Sequence, residues 1–536
     1  MTRCPACRHE NPDDYRFCGG CGRARIDPLV HVADRPAAEQ LIDGAPPPQR
    51  SQQWSPPPEG APTRRGTSDS TRYLCSAMYL DSRHSATVVR DVIDADHRAV
   101  ASSPGVDMAC VARHALAARR RQLGRDIALT ALVLLFLISL YHQSGTLFLL
   151  SLLAAWAVAA GDLLISRYGI IAQRLSRTAF STDGAPEPID PRRRRRVREI
   201  AERDGGNVIV HSGYSPFVGC GFPLGGWSFA LDVTKPAEGC DAPLPFTVIE
   251  LCEHVTRSLQ GLRWPALRIE PKVIVSGQDI RHDARFLPDP LAPPISWADP
   301  ALHDGLLVGQ EDRVRPYLHV QVTGWRDELV LSHFLRFLLL PSSLFVEGSY
   351  SLLTPVQQRY QEADRLLPQP TTGQFFRLIW QAAKALLGLL VRAPFHVLAA
   401  AVAPVRRAWR TTAERREIAA DLSFDYGASL SVRELVSDRS FRRYFQRLDK
   451  ELYVKVVEER VLDAIIDFLE ARDIDAGELQ QRSNTILNNG VMVSGSGQLH
   501  TGNLAVGEGA TAGTTITRGQ RAASAGGTTT GRGERA

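Results

Sequence analysis

The stretch Ile127–Gly161, IALTALVLLFLISLYHQSGTLFLLSLLAAWAVAAG, contains no Asp, Glu, Lys or Arg. At about 1.5 Å rise per residue it is too long for a single crossing of a hydrocarbon layer about 30 Å thick. His142-Gln143-Ser144-Gly145 breaks the run near its middle. The reading is therefore a transmembrane helical hairpin over 126–166, with helices over Ile127–Tyr141 and Leu147–Ile165. The alternative, a hairpin buried in a protein core, is the lesser reading, since a run this long is apolar on nearly every face. Arg119, Arg120, Arg121 and Arg125 precede the first helix, and Arg167, Arg174 and Arg177 follow the second. The loop between carries no fixed charge, so the positive-inside rule places both termini in the cytoplasm of a multi-pass inner-membrane protein. Asp162 falls about one turn from the cytoplasmic end of the second helix, where snorkelling or pairing with an arginine is the expected role and a transport site the rare one.

Working outward toward the N-terminus, residues 73–125 read as juxtamembrane helices, a short one over Ser82–Asp94 and a longer one over Val106–Arg125. Residues 27–70 are rich in Pro, Ser, Gln and Arg and poor in large apolar residues, the composition of a disordered linker. Residues 1–26 hold Cys4-Pro5-Ala6-Cys7 and Cys18-Gly19-Gly20-Cys21. Two CxxC knuckles place four thiolates around one tetrahedral ion, which identifies zinc as the expected cofactor and Cys4, Cys7, Cys18 and Cys21 as its ligands. So short a segment cannot bury a core, so metal ligation supplies its folding energy. Charged Arg3, Arg8, Glu10 and Asp13 exclude a secretory signal there. The other cysteines, Cys75, Cys110, Cys220, Cys240 and Cys252, are scattered, and an odd total of nine argues against a disulfide framework.

Toward the C-terminus, residues 190–368 read as a cytoplasmic α+β domain with an antiparallel sheet. Asp190 and Pro191 cap a helix running to about Arg203 that carries Arg192, Arg193, Arg194, Arg195 and Arg196. This block either binds anionic lipid or forms a solvated face that reinforces topology. Strand character falls on Asn207–His211, Trp227–Thr234, Arg268–Ser276, Tyr317–Trp325, Glu328–Leu340 and Leu344–Leu352, the last two joined by a Pro341-Ser342-Ser343 turn. Phe246–Leu262 and Pro355–Leu367 read as helices. His211, His254, His282, His303, His319 and His333 show no metal spacing, and no GxSxG elbow, Walker A loop or HExxH helix occurs.

Residues 375–410 are apolar but carry Arg377, Lys384 and Arg392, with Pro394 among them. An amphipathic helix lying in the membrane surface is the first reading, a packed cytosolic helix the second and a third crossing the last. Residues 420–485 form a helical segment with the best amphipathic stripe in the soluble part, Leu448 to Leu469, and Asp475 with Glu478 suggest a capping box. Residues 486–510 read as a short Gly-rich β unit and 511–536 as a disordered tail.

The ribbon resembles a short bacterial zinc-ribbon module, matching its Asn11-Pro12 turn and Phe17-Cys18-Gly19-Gly20-Cys21-Gly22 run, with Arg8 where that module has glycine. The order of ribbon, tether and hairpin, Asp425-Tyr426-Gly427-Ala428 with Ser431-Val432-Arg433-Glu434-Leu435, and Ile486-Leu487-Asn488-Asn489-Gly490, resembles a set of actinobacterial zinc-ribbon membrane proteins. That resemblance covers Tyr73 to Ala510 and implies the architecture, without a substrate or catalytic residue.

The sequence thus favours a membrane-anchored scaffold or signalling protein whose partners are the lipid bilayer and other proteins. One alternative is a membrane-associated enzyme acting through 190–368, which requires a concave pocket with converging titratable groups. Nucleic-acid binding through the ribbon and the arginine block is disfavoured by a net charge of only +5. The ribbon reading makes a direct prediction. Cys4→Ser or Cys21→Ser opens the coordination shell, so metal analysis of the purified chain should show the loss of one zinc, with binding weaker at lower pH because all four thiols must deprotonate.

Overall fold

The computed structural model describes residues 2–3, 10–11 and 69–489, except 265, 310 and 442. The chain divides into units at 1–64 and 65–536. In the first, β1 (Thr2–Arg3) pairs antiparallel with β2 (Glu10–Asn11). The four ribbon cysteines and the 511–536 tail lie outside the described residues.

The described part of the second unit begins with α1 (Asp69–Leu80), which takes in the last two residues of the expected linker, and the rest of that linker lies outside the described residues. It continues through α2 (Ser82–Val88) and a π-helical turn at Val89–Ile93. The Asp107 carboxylate caps α3 (Met108–Tyr141), accepting from Cys110 N at 2.8 Å. The juxtamembrane helix and the first apolar helix are therefore one uninterrupted rod of 34 residues. After His142–Ser144, α4 (Gly145–Leu164) returns antiparallel to α3, passes through a π-helical segment at Ile165–Ile171 and ends in α5 (Ala172–Arg174). Leu134, Leu137, Ile138, Leu149, Leu150 and Leu153 stay exposed on this hairpin, an arrangement that water disfavours and lipid accepts.

The next helix forms as its caps require. Asp190 accepts from Arg192 N and Pro191 occupies the first turn of α6 (Pro191–Arg203). A six-stranded sheet follows, in the order β3-β5-β6-β7-β8-β4. Its strands are β3 (Val208–His211), β4 (Phe222–Asp232), β5 (Leu267–Ser276), β6 (Val314–Gly324), β7 (Leu329–Leu339) and β8 (Ser343–Leu353). The expected antiparallel sheet is instead mixed, because β3 pairs parallel with β5. Parallel pairing needs a long crossover, here the whole 212–266 excursion through β4 and α7 (Val248–Gln260), which a short-range strand pattern does not reveal.

One sheet face is covered by α7, which a Thr247/Glu250 capping box opens, and by α11 (Tyr444–Glu470). Val457, Val461, Leu462, Ile465 and Leu469 bury in the same cluster as Leu331, Leu335, Val346 and Leu352. The C-terminal helical segment is therefore part of the sheet's own core. Helix α8 (Pro300–Gly309) lies in a stretch for which no helix was expected. The expected helix over Pro355–Leu367 is a 3₁₀ turn, Gln358–Asp364, fixed by burial of Tyr360. Near the end, α12 (Gly477–Asn489) reaches into the expected Gly-rich β unit, so Ile486–Asn489 are helical and the rest of that unit falls outside the described residues. The expected capping box does not form. Asp475 accepts from Gly477 N at 2.9 Å, while Glu478 reaches forward to Arg482.

Helix α9 (Thr372–Ala419) is a single helix of 48 residues, about 72 Å long. Among the described residues, α3, α4 with its π-helical continuation, and α9 are three helices long and apolar enough to cross a membrane.

The short helix α10 (Val432–Val436) joins the layers. Arg433 is fully buried and donates to the carbonyls of Pro104, Asp327 and Glu328. Trp325, Arg326 and Asp327 form the β6–β7 turn with positive φ at three consecutive non-glycine residues, a costly backbone that only fixed contacts sustain. Beside it, Glu434 accepts from the amides of Gly219 and Gly221, both at 2.9 Å. A side chain at Gly219 would meet the Ser102 carbonyl at 1.9 Å, so glycine is required there. Arg433→Lys cannot reach three carbonyls with one ammonium. Denaturant unfolding of the detergent-solubilised chain should show a loss of about 2–5 kcal/mol, from orphaned buried carbonyls and a charge without its fork.

Candidate membrane surface and buried polar clusters

Where the hairpin meets the soluble body its charges are paired. Asp162 accepts from Arg121 at 3.0 Å and from Arg125 at 3.1 Å, as its position near the helix end led one to expect. Arg125 also pairs with Asp126 at 2.8 Å, Asp126 with His396 of α9 at 3.0 Å, and Arg167 with Glu362 at 3.4 Å. A cavity of about 160 Å³ sits here, lined by Tyr79, Arg121, Arg125, Asp162 and Arg167 among others. Its arginines are matched by carboxylates, so it presents little net charge to a ligand.

Helix α9 begins beside α4's C-terminal end, where Tyr168 OH donates to Gln374 at 3.1 Å and Leu378 buries against Tyr168 and Ala172. It climbs along α4, with Ala382 against Ala159 and Ala160, to reach Leu129, Ala155 and Ala393. Next it meets Asp126 through His396 and Asp94 through Arg407, and Ile418 buries among Val210, Val273 and Phe424 beside the sheet. The first turns of α9 therefore pack on the continuation of α4, and its last turns beside the sheet. Pro394, which bends a helix by removing a ladder donor, falls where the contacts pass from α4 to α3.

The outer side of α9 is divided lengthwise. Phe376, Trp380, Leu387, Val391, Leu398, Val405 and Trp409 recur at four- and seven-residue intervals and are all exposed. Arg377, Lys384, Arg392, Arg406 and Arg410 follow one flank of that stripe. An apolar stripe with a basic border is the form of a helix lying at a bilayer surface.

The arginine block of α6 is largely committed to internal partners. Arg192 pairs with Asp96, Arg193 with Asp94 at 3.2 Å, Arg194 with the Pro188 carbonyl, and Arg195 with Glu199 at 3.3 Å. Arg196 is buried and donates to the Ala95 and Arg98 carbonyls.

Inside the sheet, Trp227 Nε1 donates to Tyr350 OH at 2.6 Å, and Tyr350 OH donates to Glu458 at 2.8 Å. His333 stacks on Tyr350 with ring centroids 4.2 Å apart. Burial pushes the His333 imidazole down to about 3, so it is neutral. On the other face, burial pushes the Cys220 thiol up to about 12 and holds the His319 imidazole far below its usual range. A protonated thiol and a neutral imidazole form no ion pair of the kind a thiolate nucleophile uses. The histidines surveyed in the sequence are not brought together. His319 and His333 sit on adjacent strands but face opposite sides, since His319 pairs with Phe334 and His333 with Val320.

The structure does join two of the scattered cysteines. Cys75 on α1 and Cys110 on α3 lie with their sulfurs 3.8 Å apart, and His114 completes a buried group of three metal-type donors within 4.8 Å. The signal available in sequence was Cys110-x-x-x-His114, which puts both side chains on one helix face. Only the fold supplies Cys75.

These features define a protein with a long apolar helical layer joined to a mixed-sheet body. Residues 226–503, a little over half of the chain, match the family model of the AbeC-like domain, and the chain belongs to that family. The matched region contains the sheet from β4 onward, α9 and α11 together. No curated protein and no solved structure matches the chain.

Burial also holds the Glu458 carboxyl above the usual carboxylate range. The folded protein then keeps a proton that the unfolded chain releases. The stability this gives is complete below the unfolded carboxyl's pKa and is lost as pH rises through the raised value. Glu458→Gln keeps an acceptor for Tyr350 and cannot ionise. Its melting temperatures at pH 5 and pH 8 should therefore lie closer together than those of the parent, as read by thermal melts in detergent.

Proposed function

We propose that this chain is a membrane-anchored interaction protein. In this reading α3 and α4 cross the bilayer as a two-pass hairpin with both termini cytoplasmic. Helix α9 lies in the cytoplasmic interfacial layer, and the sheet domain is held against that face as a docking platform for other proteins. The observation that carries this is that the first turns of α9 pack on the continuation of α4, through Tyr168 and Gln374, and its last turns beside the sheet, through Ile418. A helix passing through the bilayer would leave its ends on opposite sides. The outer stripe of α9 meets lipid, and its basic border suits anionic headgroups.

The zinc ribbon, through Cys4, Cys7, Cys18 and Cys21, supplies a second docking module on a long tether in the same reading. The enzyme alternative receives little support from the described cavities. One is the paired-charge cavity at the hairpin's base, and the other, about 210 Å³, is lined by Gln260, Arg263, Trp264, Leu267 and Ile269. Neither joins a nucleophile to a base. The nucleic-acid alternative is weakened by the internal pairing of Arg192, Arg193 and Arg195.

Topology tests the proposal. A membrane-impermeant maleimide should label a cysteine at Ser144 from outside intact cells, and one at Asp421 only after permeabilisation. Outside labelling at Asp421 would make α9 a third crossing and overturn the arrangement. Crosslinking in mild detergent should recover specific protein partners, and recovery of only chaperones and lipid counts against the docking role.

A further inference from the structure

We propose that Cys75, Cys110 and His114 form a second metal site, holding a divalent thiophilic ion, zinc by its donor set, that clamps α1 to the cytoplasmic part of α3. The site is independent of the N-terminal ribbon. Its sulfurs are 3.8 Å apart. Zinc–sulfur bonds of about 2.3 Å at a tetrahedral angle place two thiolates about 3.8 Å apart, so both sulfurs already stand at ligand spacing. All three donor atoms lie within 4.8 Å of one another and all three residues are buried.

The surroundings hold each ligand in place. Cys110 is fixed at the start of α3 by the Asp107 cap, whose own amide donates to the Thr71 hydroxyl of α1 at 3.0 Å. His114 follows one turn later on the same face. Its Nδ1 meets Tyr79 OH, also from α1, at 3.1 Å, and the two rings stand edge to face. A ligating histidine is commonly oriented by such a hydrogen bond to its ring, and Tyr79 supplies one here. Cys75 and Tyr79 come from the same face of α1, one turn apart, so α1 supplies a ligand and a supporting partner together.

Charge favours a divalent ion. Two thiolates and a neutral imidazole around a 2+ ion sum to zero, whereas a monovalent ion would leave a buried negative charge. Three protein donors leave a fourth position for a water molecule.

Metal analysis of the full chain in detergent tests this. Cys110→Ser and His114→Gln should each carry one zinc per chain fewer than the parent. Cys220→Ser, which removes another buried thiol, should lose none. Combined with Cys21→Ser, Cys110→Ser should lose two. Zinc content unchanged in Cys110→Ser overturns the proposal, as does peptide mapping that finds Cys75 and Cys110 joined in a disulfide. If the serine variant does not fold, His114→Cys keeps three donors. It should retain the parent's zinc, and its cobalt-substituted form should show stronger thiolate-to-cobalt absorption. A cobalt spectrum identical to the parent's overturns the proposal as well.

Discussion

Burial of Arg433 is the constraint on which the arrangement of layers rests. A guanidinium with no exposed surface needs internal acceptors, and the two terminal nitrogens of Arg433 find carbonyls on two different parts of the chain. Pro104 precedes α3, while Asp327 and Glu328 lie in the β6–β7 turn. The hydroxyl of Ser70 on α1 donates to the same Asp327 carbonyl at 2.9 Å. A left-handed turn of three non-glycine residues would relax elsewhere, and these bonds prevent it from doing so. The neighbouring Glu434 performs the complementary task, accepting two glycine amides ahead of β4. Within two residues, the chain ties the helical layer, the sheet's long hairpin and its far edge into one body. Arg433 is also held down to about 10 by its burial, yet remains cationic at physiological pH.

In the proposed arrangement, helix α9 meets protein on one face and lipid on the other. Its inner face carries Ala382 and Ala393, small enough for the alanines of α4 to approach closely, as helix contacts in lipid commonly require. Its outer face carries the large residues. In a soluble protein the small face would be the weaker core and the large face a liability. At a bilayer surface the assignment is consistent, since lipid covers the large residues and van der Waals contact holds the small ones.

The sequence made the local structure readable and left the distant contacts hidden. Ile127–Gly161 shows its hairpin because every residue meets the same apolar environment, so composition alone carries the signal. The strands from Leu267 to Leu353 were legible within a residue or a few at their ends, because β-branched and aromatic residues cluster between turn formers. The parallel β3–β5 pairing was not, since it depends on a crossover of more than fifty residues. Pro355–Leu367 looked helical by composition, but burial of Tyr360 and the ion pair of Asp364 with Arg72 favour a tighter turn. The cysteine cluster was hidden for the same reason as the crossover. Cys75 and Cys110 are 35 residues apart and meet only when α1 packs on α3. The Ser431–Leu435 segment was singled out by resemblance, and its physical role emerged only when the partners of Arg433 and Glu434 were known.

The continuity of α3 bears on how such a body would act. The helix runs unbroken from the Asp107 cap through its buried face against α1 into the apolar run, with no proline on the way. A rod of this kind transmits displacement along its axis and offers no hinge. The departures from regular helix lie beside it, in the π-helical turns at Val89–Ile93 and Ile165–Ile171. The second of these follows Asp162, whose two arginines come from α3. Movement of the sheet domain would reach the hairpin through α1 and the packed half of α3, and through α9, which buries Ile418 beside the sheet and packs on both hairpin helices. Relative motion of α4 would be taken up at its π segment, where an extra residue per turn already loosens the ladder. The buried Cys75–Cys110–His114 group sits in the stiff part of this path, where α1 and α3 must stay together for any such coupling to persist.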